Sequence, residues 1–278
     1  MQNFFWRRIL WSCVLLGASS TIHAADDVVL IDQNRAIAGN VTPGDDPGFP
    51  VTISKSGSYR LAGNLTVPDA DTSAIVITAD AVTLDLSGFN IAGPLLCPAG
   101  PAVTCLTAGK GIGIEAAHIL DATRGVRVFR GSVRGMGSMG ILLGGLGSSV
   151  SQITVDHNAG GGMSVYGNVS ESAATMNGSF GIIGLNVRDS SAVENAGDGI
   201  IVDGGGVATG NVSSSNGGLG MAVMNGTATG NTIFVNKLFG IQANCPSALI
   251  GNTVVGNNEG SIDAQGTGCV QANNATQP

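Results

Sequence analysis

The chain has 278 residues and a formal net charge of −7, and only 11% of its residues are charged while 44 are glycines. This acidic balance argues against a nucleic acid partner, which needs a basic face, and against an anionic membrane surface. The length is ample for one buried core. The glycine content favours an elongated repeat protein.

The N-terminus predicts a signal peptide over residues 1–24. Arg7 and Arg8 precede an apolar run at 9–17, and cleavage is expected after Ala24. The run is too short to span a bilayer, so no transmembrane span is predicted in the mature chain. We therefore expect export to the periplasm, the medium or the cell surface, by either the general secretory or the twin-arginine route.

The rest of the chain predicts one β domain after a short lead-in. Residues 25–50 are rich in Gly, Pro and Asp and are predicted to be irregular, and the domain is predicted over 51–278. Alternating apolar and polar residues predict strands at the start of this domain, at 51–53, 59–61, 74–78 and 82–93. Pro, Cys and Gly near 94–110 predict a loop excursion, after which strands resume.

One short phrase then repeats: Asn, four residues later Gly, and then Ile or Met. The copies begin at Asn158, Asn177, Asn195, Asn216 and Asn236, with a frayed copy at Asn257. A period of about 20 residues without amphipathic helices predicts a solenoid of about eight to ten coils. Stacked coils should align the repeat glycines, Gly162, Gly181, Gly199, Gly220 and Gly240, in one column. The asparagines should form ladders at a corner.

These residues carry a family resemblance. The segment 77–93, with Val-Thr-Leu-Asp-Leu-Ser-Gly-Phe-Asn-Ile, and the later Asn-x-x-x-Gly-Ile copies resemble right-handed parallel β-helix proteins of the pectin-lyase-like group. The resemblance covers roughly residues 51–270. It implies an all-β, single-stranded right-handed parallel β-helix. It implies no particular activity, because this fold hosts lyases, hydrolases, epimerases and adhesins.

Complete catalytic motifs of that group are missing. Val155-Asp156-His157 resembles the tail of the Trp-Ile-Asp-His of pectate-lyase-like enzymes, but Thr154 stands where Trp is expected. Alignment on the glycines places Arg134 beside Asp156 on adjacent coils, which a surface ion pair explains. The same alignment stacks His157 under Met176, in apolar packing. The candidate catalytic residues are Asp156, His157, Arg134 and Arg188.

Lys237 is the only charged residue between 204 and 258, so any acid–base chemistry is expected in the earlier coils. The arginines there could hold carboxylates of an anionic glycan; they are Arg124, Arg127, Arg130 and Arg134. Other charged candidates in this region are Asp121 and Glu194. No cofactor is expected, although a lyase could use calcium, for which Asp189, Asp198 and Asp203 are the candidate ligands.

Four cysteines follow the signal peptide: Cys97, Cys105, Cys245 and Cys269. An even number in an exported protein predicts disulfides, and three pairings are possible. Cys97–Cys105 would close the loop excursion. Cys245–Cys269 would join two coils near the end of the solenoid, where a cross-link would restrain fraying.

Three functions fit these observations. The first is a non-catalytic exported β-helix acting as a surface, binding or structural element, with a polysaccharide or cell-surface component as partner. The second is a lyase or hydrolase of uronate-rich glycans, and the third is an adhesive or self-assembling fibre unit. The missing motifs favour the first. Scarce aromatic residues, with both tryptophans inside the signal peptide, argue against stacking of neutral sugars.

Overall fold

A computed structural model describes residues 28–95, 108–116 and 123–277. This part of the chain is almost entirely β, with one short helix, α1 (Gln33–Ala38). The strands, in chain order, are β1 (Val29–Ile31), β2 (Val51–Ile53), β3 (Gly57–Leu61), β4 (Leu65–Thr66), β5 (Ile75–Ile77), β6 (Val82–Asp85), β7 (Asn90–Ala92), β8 (Ile114–Ala116), β9 (Arg127–Arg134), β10 (Ile141–Asp156), β11 (Met163–Ser170), β12 (Ala173–Thr175), β13 (Ile182–Arg188), β14 (Ser191–Val193), β15 (Ile200–Thr209), β16 (Val212–Ser214), β17 (Met221–Met224), β18 (Thr227–Thr229), β19 (Thr232–Phe234), β20 (Phe239–Asn244), β21 (Ala248–Ile250), β22 (Thr253–Val255), β23 (Gly260–Gln265), β24 (Val270–Ala272) and β25 (Ala275–Gln277).

The strands form a right-handed parallel β-helix of about ten coils, as predicted. Each coil contributes one strand to each of three parallel sheets. Sheet one runs from β2 to β23, sheet two from β1 to β24, and sheet three from β4 to β25. Longer strands such as β10 turn a corner and belong to more than one sheet. The corners are named here by the sheets they join.

The interior is filled by every second residue of each strand. In sheet one, Ile141 lies beside Met163, Met163 beside Ile182, and Ile182 beside Ile200, and all four are fully buried. The preceding glycines stack in one column, as predicted. A Cβ atom on Gly199 would come within 2.6 Å of the Gly220 carbonyl oxygen, so only glycine fits between neighbouring coils.

The repeat asparagines form a buried ladder at corner three–one. Asn158 Oδ1 accepts from Met136 N, and from Asn177 onward each side-chain oxygen accepts hydrogen bonds from the backbone and side-chain amides of the asparagine one coil earlier. Asn195 Oδ1, for example, accepts from Asn177 N at 3.1 Å and from Asn177 Nδ2 at 2.9 Å. Its own Nδ2 donates to the Ala174 carbonyl at 3.0 Å. The predicted structural role of these asparagines is therefore confirmed.

A second buried ladder, which was not predicted from the sequence, runs along corner two–three. Its members are Ser172, Ser190, Asn211, Asn231, Asn252 and Asn274. The asparagines bond like those of the first ladder, with Asn211 N and Nδ2 donating to Asn231 Oδ1 at 2.9 and 3.0 Å. The sequence signal is the Gly-Asn pair, which occurs at 210–211, 230–231 and 251–252.

The N-terminal end of the solenoid is closed by side chains from the lead-in, where β1 and α1 lie. Gln33 Nε2 donates to the Thr66 carbonyl at 3.1 Å, and Gln33 Oε1 accepts from Thr66 N at 2.8 Å. Asp45 accepts from Thr52 N at 2.6 Å, and the Thr42 hydroxyl donates to the Thr52 carbonyl at 2.6 Å. These side chains form hydrogen bonds with backbone groups of the first strands, which would otherwise be unpaired at the edges of the sheets.

The last coil is cross-linked, and two of its inward-facing positions are polar. Cys245 and Cys269 form the predicted disulfide, with Cα atoms 4.9 Å apart. Interior positions held by Leu249 and Val254 become Gln271 and Thr276 one coil later. Cys97, Cys105, Asp121, the predicted signal peptide and most of the 94–110 excursion lie outside the described residues. No helix within the described ranges is long and apolar enough to cross a membrane.

Candidate functional site

Corner two–three carries a row of exposed polar side chains on a strained backbone. The corner residue adopts a left-handed conformation in successive coils, with φ of 59° at Arg130, 55° at Gln152, 50° at Glu171 and 51° at Asp189. Side chains other than glycine are disfavoured there by roughly 1–2 kcal/mol. The next three coils use glycine at this corner: Gly210, Gly230 and Gly251. The polar row is therefore not required by the fold.

This row lines a groove that runs along the solenoid axis, here named the corner groove. It consists of two open cavities of about 720 Å³ and 590 Å³ that meet at Gln152. The first cavity is lined by Arg60, Asp85, Ser87, Gly88, Arg130 and Gln152. The second is lined by Gln152, Ile153, Thr154, Glu171, Ser172, Ala173, Asp189, Ser190, Ser191, Gly210 and Val212.

The N-terminal end of the corner groove is cationic. Asp85 is 4% exposed and binds Arg130 through both carboxylate oxygens. Arg60 Nε lies 3.3 Å from Asp85 Oδ2. Burial opposes ionisation of Asp85, but hydrogen bonds from Arg130 and Ser87 outweigh it, so the pKa of Asp85 is lowered. Two half-exposed guanidinium groups thus share one carboxylate, which leaves a positive charge.

The other end of the corner groove is acidic. Gln152 Nε2 donates to Glu171 Oε2 at 3.0 Å. Asp189 occupies the position of Glu171 one coil later, and its Oδ2 lies 3.8 Å from Arg188 Nη1. Arg188, a candidate catalytic residue from the sequence, therefore lies at the edge of the corner groove. The Ser172 and Ser190 hydroxyls of the second ladder lie between these corner residues and are buried. The corner groove therefore offers donors and acceptors on consecutive coils.

The other candidate catalytic residues, Arg134, Asp156 and His157, lie away from the corner groove, where sheet three meets corner three–one. Arg134 and Asp156 face each other on adjacent strands, as the glycine alignment predicted, with Arg134 Nη2 3.4 Å from Asp156 Oδ1. The prediction of apolar packing for His157 needs correction. Its Nδ1 lies 2.6 Å from Asp156 Oδ1, because the left-handed corner at His157 (φ 55°) lets the ring meet the preceding carboxylate.

The proposed calcium ligands are not brought together. Asp189 lies at corner two–three. Asp198 lies at corner three–one, where it accepts from Leu219 N at 2.8 Å. Asp203 lies at corner one–two, where it accepts from Gly204 N at 2.7 Å. In the part of the chain that the structure describes, no group of three or more His, Cys, Asp or Glu could hold a metal ion.

We expect the Arg134–Asp156 pair to be dispensable. Replacing either residue with alanine should lower the free energy of unfolding by no more than about 1 kcal/mol, because Arg134 is half-exposed and such pairs contribute little. Binding of any ligand should not change either. Denaturation and calorimetric titration of both variants test this. A hundredfold loss of rate on any polyuronate, with the fold intact, would instead make Asp156 catalytic.

The architecture defines a fold class: the protein is a right-handed parallel β-helix. No protein-family model and no curated protein sequence matches the chain. Solved structures do match its fold.

Among the similar structures are two A-modules of mannuronan C-5 epimerases from Azotobacter vinelandii. The chain matches that of AlgE6 with a TM-score of 0.57 at 16% identity, over 75% of this chain and 64% of that one. It matches that of AlgE4 with a TM-score of 0.55 at 17% identity, over 79% and 68%. The Dettilon tailspike protein matches with a TM-score of 0.56 at 15% identity, over 81% and 52%. The chain thus spans less than two thirds of two of these three structures.

Proposed function

We propose that this protein is an exported β-helix that binds a polysaccharide in the corner groove without cleaving it. The observation that carries this proposal is the row Arg130, Gln152, Glu171 and Asp189. Four successive coils hold exposed polar side chains at left-handed corners where the fold accepts glycine. Strain retained away from the core is typical of binding and catalytic sites.

The shape of the corner groove supports a linear ligand. It is open and parallel to the axis, and its polar groups recur at the spacing of neighbouring strands, about 4.8 Å. A polysaccharide also presents hydroxyl groups at regular intervals, each able to donate and accept. Two of the similar folds, by name, are epimerases of the polysaccharide mannuronan. This similarity in fold supports a glycan as the ligand, and it indicates neither a particular sugar nor a reaction.

The chemistry of the corner groove favours binding over catalysis. Burial raises the pKa of Asp85, but hydrogen bonds from Arg130 and Ser87 outweigh that effect and lower it, which makes Asp85 a poor proton donor. Glu171 accepts from Gln152, and Asp189 lies beside Arg188. A hydrolase needs one carboxyl group held protonated to act as acid and a second one as base or nucleophile. The carboxylates described in the corner groove do not form such a pair.

Glycine substitution at the corner separates binding from folding. In Glu171→Gly, relief of the left-handed strain offsets the added chain entropy, so stability should change by less than about 1 kcal/mol. Affinity for the uncharged polymer dextran should fall about tenfold, because a carboxylate that can accept hydrogen bonds from sugar hydroxyls is lost. Calorimetric titration with polymannuronate, polygalacturonate and dextran, together with thermal unfolding, measures both quantities.

Glu194→Gly is the matched control. Glu194 is also a glutamate in a left-handed corner (φ 55°), but it lies at corner three–one, away from the corner groove. It should show the same small change in stability and no change in affinity. Equal losses of affinity in both variants, or none in Glu171→Gly, would contradict binding in the corner groove. Unsaturated or epimerised products from the wild-type protein would contradict the non-catalytic part of the proposal.

A further inference from the structure

A separate cavity lies on the outer face of sheet two, beside the corner groove. It has a volume of about 380 Å³ and is here named the arginine pocket. Its side chains come from four adjacent coils and are Thr83, Arg127, Phe129, Ser149, Ser151 and Asn168. Neighbouring-strand pairing brings Thr83 beside Arg127, Arg127 beside Ser149 and Ser149 beside Asn168, so the polar groups form one line.

The arginine pocket contains hydrogen-bond donors but no carboxylate. Arg127 is exposed, and no carboxylate of the described residues lies within ion-pair distance of it, unlike Arg60, Arg130 and Arg188. Asn186 Nδ2 donates to Asn168 Oδ1 at 2.9 Å, so that oxygen is occupied and the Asn168 amide group remains as a donor. The neighbouring hydroxyls of Thr83, Ser149 and Ser151 can also donate.

An aromatic ring connects the arginine pocket to the corner groove. The Arg130 guanidinium carbon lies 4.9 Å from the centre of the Phe129 ring, which lines the arginine pocket. Arg130 also binds Asp85 in the corner groove. Arg130, which lines the corner groove, therefore contacts a residue that lines the arginine pocket, so the two cavities are neighbours on the surface.

We infer that the arginine pocket binds an anionic substituent of the polysaccharide, either a carboxylate or a sulfate ester. This inference rests on the proposed function and names the class of sugar. A guanidinium group binds paired oxygens of such anions through two parallel hydrogen bonds, and the flanking amide and hydroxyls supply further donors. The protein as a whole carries a net charge of −7, so general electrostatic attraction does not account for binding of an anion.

The experiment compares charged polymers with neutral counterparts on the full-length protein by calorimetric titration. Polymannuronate is paired with its carboxyl-reduced form, and dextran sulfate with dextran. The wild-type protein should bind at least one charged polymer more tightly than its neutral form. Arg127→Ala should lower that affinity about tenfold and leave neutral binding unchanged, and Arg127→Lys should restore part of it. The pair that responds distinguishes a carboxylate from a sulfate.

Arg124→Ala is the matched control, because Arg124 is an exposed arginine of the same coil that does not line the arginine pocket. Circular dichroism and thermal unfolding check that all variants fold. The inference is overturned if charged and neutral forms bind equally, or if Arg124→Ala and Arg127→Ala weaken binding alike. Binding of neutral polymers would in that case still support the corner groove. Failure of all four polymers to bind would count against both proposals.

Discussion

Asn195→Ala is expected to lower the free energy of unfolding by about 2–4 kcal/mol, since buried polar groups would lose their partners. Asn195 is 2% exposed. Its side chain accepts from Asn177 N and donates to the Ala174 carbonyl and to Asn216 Oδ1. Alanine replaces none of these bonds, and the tight interior leaves little room for a compensating water.

Asn168→Ala provides the comparison. Asn168 and Asn186 are also stacked asparagines, with a hydrogen bond of 2.9 Å, but on the exposed face of sheet two. Asn168→Ala should lower the free energy of unfolding by less than about 0.5 kcal/mol, because water can replace the lost hydrogen bond. Chemical denaturation followed by circular dichroism measures both variants, and hydrogen exchange shows whether unfolding is all-or-none. Similar costs for the two variants would mean that burial does not set the strength of the ladder.

Loss of the Cys245–Cys269 disulfide should cost about 3 kcal/mol, with the damage confined to the last coils. The two cysteines are separated by 24 positions, and a bridge across such a loop restricts the unfolded chain by about that amount. Each coil of a solenoid contacts only its neighbours, so the effect should fade towards the N-terminal coils.

Hydrogen exchange of Cys245→Ser/Cys269→Ser and of the wild-type protein under reduction tests this. Amides of β23, β24 and β25 should lose protection, while those of β10 and β11 keep it. Uniform loss of protection along the chain would show that the solenoid unfolds as one unit. Unchanged protection in the last coil would show that packing alone holds it.

The sequence predicted those features of the fold that repeat. The first asparagine ladder and the glycine column could be predicted because residues such as Asn195 and Gly199 recur in each coil at a nearly constant spacing. The second ladder was missed because its first members are Ser172 and Ser190, so only three copies show the Gly-Asn pair. A ladder can be built from any buried side chain that has both a hydrogen-bond donor and an acceptor. Serine meets this requirement, but its use at Ser172 and Ser190 interrupts the repeated Gly-Asn pair in the sequence.

The candidate site was harder to predict because its residues share a backbone conformation and no motif. Gln152 and Glu171 differ in chemistry from the glycines that hold the same corner later in the chain. Only the left-handed φ values place them in one row. His157 was misjudged for a related reason: alignment with Met176 identified its position in the coil, but the carboxylate that attracts its ring belongs to the adjacent residue.

The two inward-facing polar residues of the last coil bear on self-association. An open β-solenoid can template growth of a fibre, because its final strands offer unpaired backbone groups above an apolar core. At this end a second molecule would meet Gln271 and Thr276 in place of a continuous apolar column. At the opposite end, Gln33 and Asp45 already occupy edge-strand groups. Axial stacking of a second molecule on these two faces would therefore have to desolvate polar side chains at one of them and break existing hydrogen bonds at the other.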